Sequence, residues 1–226
     1  MKQALFLFFV AAASAGCSET SPAGKRSAEC YVRYLKPESQ LSAEVVLREI
    51  PPGQSEPQPY TPPGGVRFGG SLMRELVLQG APVYRLEQGG GYTPEHEFTW
   101  SDDQKQKHTI GMNLPAITAF TFSVAPLSRK KPATCTWTGA PLEKKEMLVF
   151  MWERTSDRKT VPMEILGTPG QQSIEFPAAQ LAKLEAGDWK LYLVRKKTSD
   201  FEAQGFSARC TAEYYSDVDT LTVTDL

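Results

Sequence analysis

Apolar and polar residues alternate along most of the chain beyond residue 28, which is the pattern of half-buried β-strands. In residues 29–36 the side chains of Cys30, Val32 and Tyr34 fall on one side of an extended segment. Such runs recur at intervals of roughly 8 to 12 residues, as expected for short strands joined by turns. The pattern therefore predicts an all-β fold.

The other predicted strands share this alternation or a continuous apolar run. They lie at residues 43–50, 67–79, 83–87, 97–100, 108–112, 119–124, 134–138, 146–152, 161–165, 173–176, 189–194, 206–215 and 220–223. The segment 146–152 is apolar on both faces, which predicts a strand that is covered on both sides. The one helix is predicted at 177–186, because proline begins this segment and Gly187 follows it.

The first residues of the chain follow a different pattern. Lys2 precedes the thirteen residues 4–16, in which Ser14 is the only polar side chain. A helix of this length reaches about 20 Å, short of the ~30 Å hydrocarbon core of a bilayer. The pattern predicts a signal peptide over residues 1–16.

The signal peptide ends in Ser14, Ala15, Gly16 and Cys17, a sequence that resembles the lipobox of bacterial lipoproteins. The resemblance implies cleavage before Cys17, acylation of its thiol, and attachment to a lipid bilayer of the cell envelope, on either the periplasmic or the surface face. Residues 17–28 are predicted to be a flexible tether. The alternative is ordinary cleavage after Ala15, which would give a secreted protein.

A second resemblance concerns the segment after the predicted helix. Its apolar positions resemble the corner between the fifth and sixth strands of immunoglobulin-like sandwiches, and they are Leu181, Leu184, Gly187, Trp189, Leu191 and Leu193. The resemblance implies an immunoglobulin-like domain at residues 133–226. The charged break at 128–132 separates it from a predicted β-sandwich domain at 29–127. The predicted fold is therefore two tandem immunoglobulin-like β-sandwiches.

Charge and cysteine content narrow the functional classes. The formal net charge is −1 and the basic runs are short, so we expect no nucleic-acid partner.

Four cysteines are present. If Cys17 is acylated, three remain, and we favour a disulfide between Cys135 and Cys210 because both lie in the second predicted domain. Cys30 would then be a buried thiol; the alternative is a bond from Cys30 to either of them.

The two histidines do not predict a metal site. A hairpin centred on residue 103 or 104 would place His96 opposite about residue 110 or 111 and His108 opposite about residue 98 or 99. The imidazoles would then be roughly 10 Å apart, too far to share Zn²⁺. Ser101, Asp102 and His108 lie close in sequence, but the chain has no G-x-S-x-G nucleophile elbow.

These patterns predict a non-enzymatic cell-envelope lipoprotein, without a cofactor, that serves as a structural or protein-interaction module. One alternative is a carbohydrate-binding module in which Trp100 and Tyr92 contact the ligand. Another is a metal-assisted or serine hydrolase around His96 and His108.

Overall fold

The computed structural model describes residues 25–203 and 205–226. The predicted signal peptide, Cys17 and the tether up to residue 24 lie outside the described residues. The described chain is almost entirely β-structure, which confirms the predicted fold class. Within it, no helix is long and apolar enough to cross a membrane.

The largest sheet has 11 strands. They are β1 (Lys25–Leu35), β2 (Gln40–Ile50), β3 (Gln58–Pro59), β6 (Arg74–Leu78), β7 (Ala81–Gly89), β11 (Leu127–Ser128), β13 (Glu146–Arg154), β14 (Thr160–Leu166), β16 (Gly187–Ala203), β17 (Phe206–Tyr215) and β18 (Asp219–Thr224). The main path runs β11-β18-β16-β17-β1-β2-β7-β6; β13 pairs with β14 and β16, and β3 with β2.

Two smaller sheets pack against one face of the large sheet, which we call its inner face. The four-stranded sheet has the order β5-β4-β8-β9 and contains β4 (Val66–Phe68), β5 (Ser71–Leu72), β8 (Glu95–Ser101) and β9 (Lys107–Asn113). The three-stranded sheet has the order β10-β12-β15 and contains β10 (Ile117–Phe122), β12 (Ala133–Gly139) and β15 (Ser173–Phe176).

Aromatic contacts show which part of the large sheet each small sheet covers. Phe176 of β15 lies 4.7 Å from Phe150 of β13, measured between ring centroids. Trp100 of β8 lies 5.5 Å from Phe206 of β17 in the same measure. The three-stranded sheet therefore packs near β13, and the four-stranded sheet packs near β17.

The large sheet takes strands from both predicted domains. The first strand, β1, pairs in parallel with β17 near the end of the chain. The 17-residue strand β16 pairs with β18 through its first part and with β17 through its last part. The predicted break at 128–132 therefore does not separate two independent sheets. The division into two tandem immunoglobulin-like domains stays a prediction.

The predicted helix is much shorter than expected, because only α1 (Ala178–Leu181) is α-helical. The corner that follows does bury its apolar side chains: Leu181, Leu184 and Trp189 have no exposed surface. The indole Nε1 of Trp189 donates a hydrogen bond to the carbonyl oxygen of Glu185 at 2.9 Å. This bond satisfies the polar edge of a large core side chain.

An ion pair lies inside the core between β13 and β16. The side chains of Glu146 and Arg195 are both fully buried. Arg195 donates to Oε2 of Glu146 from Nη2 at 2.5 Å and from Nε at 3.1 Å. Its remaining donors reach the carbonyl oxygens of Ala140 at 2.9 Å and Pro141 at 2.7 Å. These bonds offset the cost of removing two charges from water.

Candidate functional site

The outward face of the large sheet, opposite the two small sheets, carries apolar side chains along β13. The inner-facing residues Leu148, Phe150 and Trp152 are fully buried, whereas the alternate residues Met147 and Met151 are only half-buried. The expectation that this strand is covered on both sides is therefore wrong for its outward face, since both small sheets lie on the inner side.

Strand register extends these positions into a continuous surface. Val149 is the partner of Val194, Val194 is the partner of Tyr215, and Met151 is the partner of Tyr192. The rings of Tyr192 and Tyr215 are 6.0 Å apart. We call this surface the apolar patch, and it comprises Met147, Val149, Met151, Leu166, Tyr192, Val194 and Tyr215. Val194, only 4% exposed, lies beneath the other side chains of the patch's centre and contributes little of its surface.

The edge of the sheet limits the apolar patch on one side. β14 pairs only with β13 in the described part of the chain. Leu166, the partner of Met147, is 73% exposed, which makes it one of the most exposed large apolar side chains. Glu164, the exposed partner of Val149, places a carboxylate beside the apolar positions at this edge.

A hydrogen-bonded polar cluster borders the apolar patch on the other side. Glu213 accepts hydrogen bonds through Oε2 from the hydroxyls of Tyr31 at 2.5 Å and Tyr215 at 3.0 Å, and Lys196 lies 3.2 Å from its Oε1. Burial, followed by the charge of Glu213, raises the pKa of Tyr215 to about 12. The hydroxyl therefore stays protonated and holds the ring in place at neutral pH.

An apolar centre with a charged border is the arrangement found at sites of protein association. Methionine side chains adapt to differently shaped partners because they are unbranched and flexible. The apolar patch can therefore bind a surface without performing chemistry on it. The run of apolar residues at 146–152 was the sequence signal for it, but we interpreted that run as a strand buried on both faces.

Two of the residues considered for a hydrolase, Asp102 and His108, form a hydrogen-bonded cluster at the tip of the β8–β9 hairpin, whereas His96 lies outside it. His108 Nε2 lies 3.1 Å from Oδ2 of Asp102, and Arg26 Nη1 donates to the same oxygen at 3.0 Å. Oδ1 of Asp102 accepts the amide hydrogens of Gln104 and Gln106, each at 2.9 Å. Burial acts to raise the pKa of Asp102, but His108 and the two amides lower it below its ordinary value. All of these bonds fix the turn.

The hairpin register separates the two histidines further than predicted. His96 is the partner of Met112 and His108 is the partner of Trp100, so the hairpin is centred on residue 104. Four positions separate the histidines along the ladder, about 13 Å at the rise of a β-strand. Residues 25–203 and 205–226 hold no group of three histidine, cysteine or acidic side chains arranged to bind a metal ion.

Trp100 and Tyr92, the two predicted sugar contacts, each pack against other aromatic rings of the protein, and the two sets of rings differ. Trp100 is 4% exposed and packs against both His108 and Phe206, at centroid distances of 5.4 and 5.5 Å. Tyr92 is half-buried, 4.7 Å from the ring of Tyr214. Neither ring offers an open face for a sugar in this conformation, and their role as ligand contacts stays a prediction.

The hydroxyl of Tyr92 has two neighbours. It donates a hydrogen bond to the carbonyl oxygen of Leu114 and lies 3.3 Å from Nε2 of His96. His96 is 2% exposed, and its Nδ1 has no hydrogen-bond partner among the described residues. Burial lowers the pKa of His96 to about 4, so this imidazole is neutral at physiological pH.

The predicted disulfide between Cys135 and Cys210 is wrong. Both residues, and Cys30, are buried free thiols within the described chain. Cys135 lies in the three-stranded sheet, where its strand partners are Phe122 and Ile174. Cys210 lies in the large sheet, so the two cysteines belong to different layers of the fold.

Comparison with known proteins adds no assignment to these observations. No protein-family model matches the chain, and no curated protein matches it either. The structure itself identifies the apolar patch as the candidate functional site.

Proposed function

We propose that this protein is a non-enzymatic lipoprotein of the cell envelope that binds a partner protein through the apolar patch. The proposal combines the lipobox-like sequence that ends at Cys17 with the outward face of the large sheet. The apolar patch is the observation that carries the binding function, because apolar side chains from four adjacent strands, β14, β13, β16 and β17, lie together on the outward face.

The segment between Cys17 and the large sheet supports a role close to a membrane, because residues 25–28 of the predicted tether belong to β1 and only a shorter linker is left. Only residues 18–24 separate Cys17 from the start of β1 at Lys25. Seven residues span at most about 25 Å when fully extended. An acylated Cys17 would therefore hold the β-sandwich next to the bilayer surface, within reach of other envelope proteins.

The expected partner presents an apolar surface bordered by charge. The patch has Glu164 on one side and the Lys196–Glu213 ion pair on the other, with 3.2 Å between nitrogen and oxygen. Such a border contributes mainly to specificity and association rate, whereas the apolar centre contributes most of the affinity.

Site-specific photocrosslinking in cells that export the full chain tests the proposal. A photoreactive amino acid at position 149 should give one discrete crosslinked product, and the same group at Arg209 should not. Arg209 is a suitable control because its exposed side chain belongs to the large sheet but lies outside the patch. Met151→Asp should abolish the crosslink from position 149, whereas Arg209→Glu should leave it unchanged. A crosslink that persists in a folded Met151→Asp variant would refute the proposed binding surface.

Carbohydrate binding remains a second candidate because Tyr192 and Tyr215 lie side by side on the outward face. Aromatic faces of this kind stack on sugar rings, and Glu213 lies next to Tyr215 as a hydrogen-bond acceptor. A glycan array on the exported protein should then show binding that Tyr192→Ala removes. Loss of binding in Trp100→Ala instead would favour the interior aromatic residues, and an array without any binding would exclude this candidate.

A further inference from the structure

Two buried thiols face each other where the beginning and the end of the chain meet. Cys30 of β1 and Cys210 of β17 are direct partners in the parallel ladder. They are 5% and 0% exposed. Because paired residues project to the same side of a sheet, both side chains enter the same region of the core.

The spacing of the two strands suits a covalent bond. Neighbouring strands lie about 4.8 Å apart, and disulfide bonds require Cα atoms separated by about 4.4 to 6.8 Å. The side-chain contact with Cys210 is the largest cause that raises the pKa of the Cys30 thiol above its usual range, and burial adds to it. The two sulfur atoms are therefore close neighbours.

We propose that Cys30 and Cys210 form a disulfide bond when the chain folds in an oxidising compartment. The reaction is thiol–disulfide exchange with a disulfide-bonded thiol compound such as oxidised glutathione. One cysteine thiolate attacks the donor disulfide and releases one thiol; the second cysteine then attacks the mixed disulfide and releases the other. The two protein thiols lose two protons and two electrons, and the donor is reduced to two thiols.

Burial determines when this bond can form. A thiolate must reach the donor disulfide, and neither sulfur is accessible after the sheet has closed. The exchange therefore occurs before the core is complete or during opening of the β1–β17 pair. In a folded chain that was kept reduced, we expect both thiols to react slowly with an alkylating reagent and to react quickly after unfolding.

The bond would join the first strand to the penultimate strand. It would close a loop of 180 residues, the separation of Cys30 and Cys210 in sequence (210 − 30). Cross-links across long loops restrict the unfolded chain strongly. Reduction should consequently lower the Tm by about 10 °C. Cys135 has no cysteine beside it in its sheet and should remain a thiol.

Tryptic digestion separates the relevant cysteines, which makes the connectivity directly measurable. Cys30 falls in peptide 27–33, Cys135 in 131–144 and Cys210 in 210–226. Full-length chain exported to an oxidising compartment should be digested without reduction, after free thiols have been alkylated. We expect peptide 27–33 linked to 210–226, and peptide 131–144 alkylated. The same chain isolated from a reducing cytosol should give all three peptides unlinked.

Two variants make the result specific. Cys135→Ser should retain the linked pair of peptides, and Cys210→Ala should leave peptide 27–33 fully alkylated. The proposal is overturned if the exported, folded chain yields unlinked 27–33 and 210–226. Linkage of either peptide to 131–144, or to the peptide that contains Cys17, would overturn it as well.

Discussion

Removing the negative charge of Glu146 tests how the core is held together. The substitution Glu146→Gln preserves the shape of the side chain and leaves the guanidinium of Arg195 in place. Arg195 would then be a fully buried cation without a counterion, since its contacts with Ala140 and Pro141 are to neutral carbonyl oxygens. Lys197 lies 3.8 Å from Oε1 of Glu146 and pairs with Glu143 at 2.7 Å, so it does not replace the negative charge that Arg195 loses.

The expected magnitude follows from these contacts. Breaking a buried ion pair by removing one partner destabilises proteins by about 3 to 5 kcal/mol. Both bonds from Arg195 end on Oε2 of Glu146, and a glutamine amide oxygen at that position can still accept them, so we expect the lower end of this range, about 3 kcal/mol. For a chain of this size the Tm should fall by about 6 to 12 °C.

Urea denaturation of the native sequence and its variants measures the effect. Asp200→Asn is the matched control, because it removes one carboxylate from the exposed ion pair with Arg209 at 2.8 Å. Exposed pairs contribute about 0 to 1 kcal/mol, so this variant should remain close to the native protein. The double substitution Glu146→Gln with Arg195→Met should cost less than the sum of the two single changes, because no buried charge remains.

One outcome would refute this reasoning. If the free energy of unfolding of the Glu146→Gln variant lies within about 0.5 kcal/mol of the native value, Glu146 and Arg195 do not depend on each other as a buried ion pair. The same conclusion would follow if the change in unfolding free energy of the double variant equalled the sum of the changes for the two single variants.

Two further predictions concern the buried imidazole of His96 and the backbone at Gly139. The pKa of His96 is lowered to about 4 by burial. The unfolded chain therefore binds this proton more readily, and about 3 kcal/mol of stability should be lost between neutral pH and pH ~4. In denaturation curves recorded at neutral pH and at pH ~4, the His96→Phe variant should therefore lose about 3 kcal/mol less stability on acidification than the native protein. An unchanged pH dependence of stability would contradict the lowered pKa of His96. Gly139 has a φ of 136°, and a Cβ there would meet the carbonyl oxygen of Ala116 at 2.4 Å. Gly139→Ala should therefore cost about 2 kcal/mol or more, whereas Gly111→Ala should stay within about 1 kcal/mol; equal Tm values for the two variants would count against the described backbone.

The positions of most strands could be predicted from alternation alone, because most strands bury one face in the core. The strand predicted at 67–79 is wrong, since this segment contains β4, β5 and β6, which belong to two different sheets. The strands at 173–176 and 206–215 agree with the structure residue for residue. The prediction failed where a strand continued past its apolar run. We ended one strand at residue 194, but β16 continues to Ala203. Arg195 consequently points inward to Glu146, although the sequence placed it in a short basic run.

Pairing between distant strands could not be read from the sequence. Parallel pairing of β1 with β17 joins residues almost a whole chain apart, and alternation carries no information about which strands become neighbours. The predicted disulfide between Cys135 and Cys210 is wrong for this reason. It rests on the assumption that both residues belong to one domain, and the sequence does not show that they lie in different sheets. The apolar patch was missed because apolar residues on both faces of a strand are expected both for a strand covered on each side and for a strand with an exposed apolar face.

The proposed function depends first on the lipid anchor at Cys17. Mass spectrometry of the amino-terminal tryptic peptide, from protein extracted out of the membranes of a lipoprotein-exporting bacterium, tests it most directly. We predict a peptide that begins at Cys17 and carries acyl chains on that residue. A peptide that begins at Gly16 with an unmodified Cys17 thiol would contradict the anchor and show that the β-sandwich is released as a secreted protein.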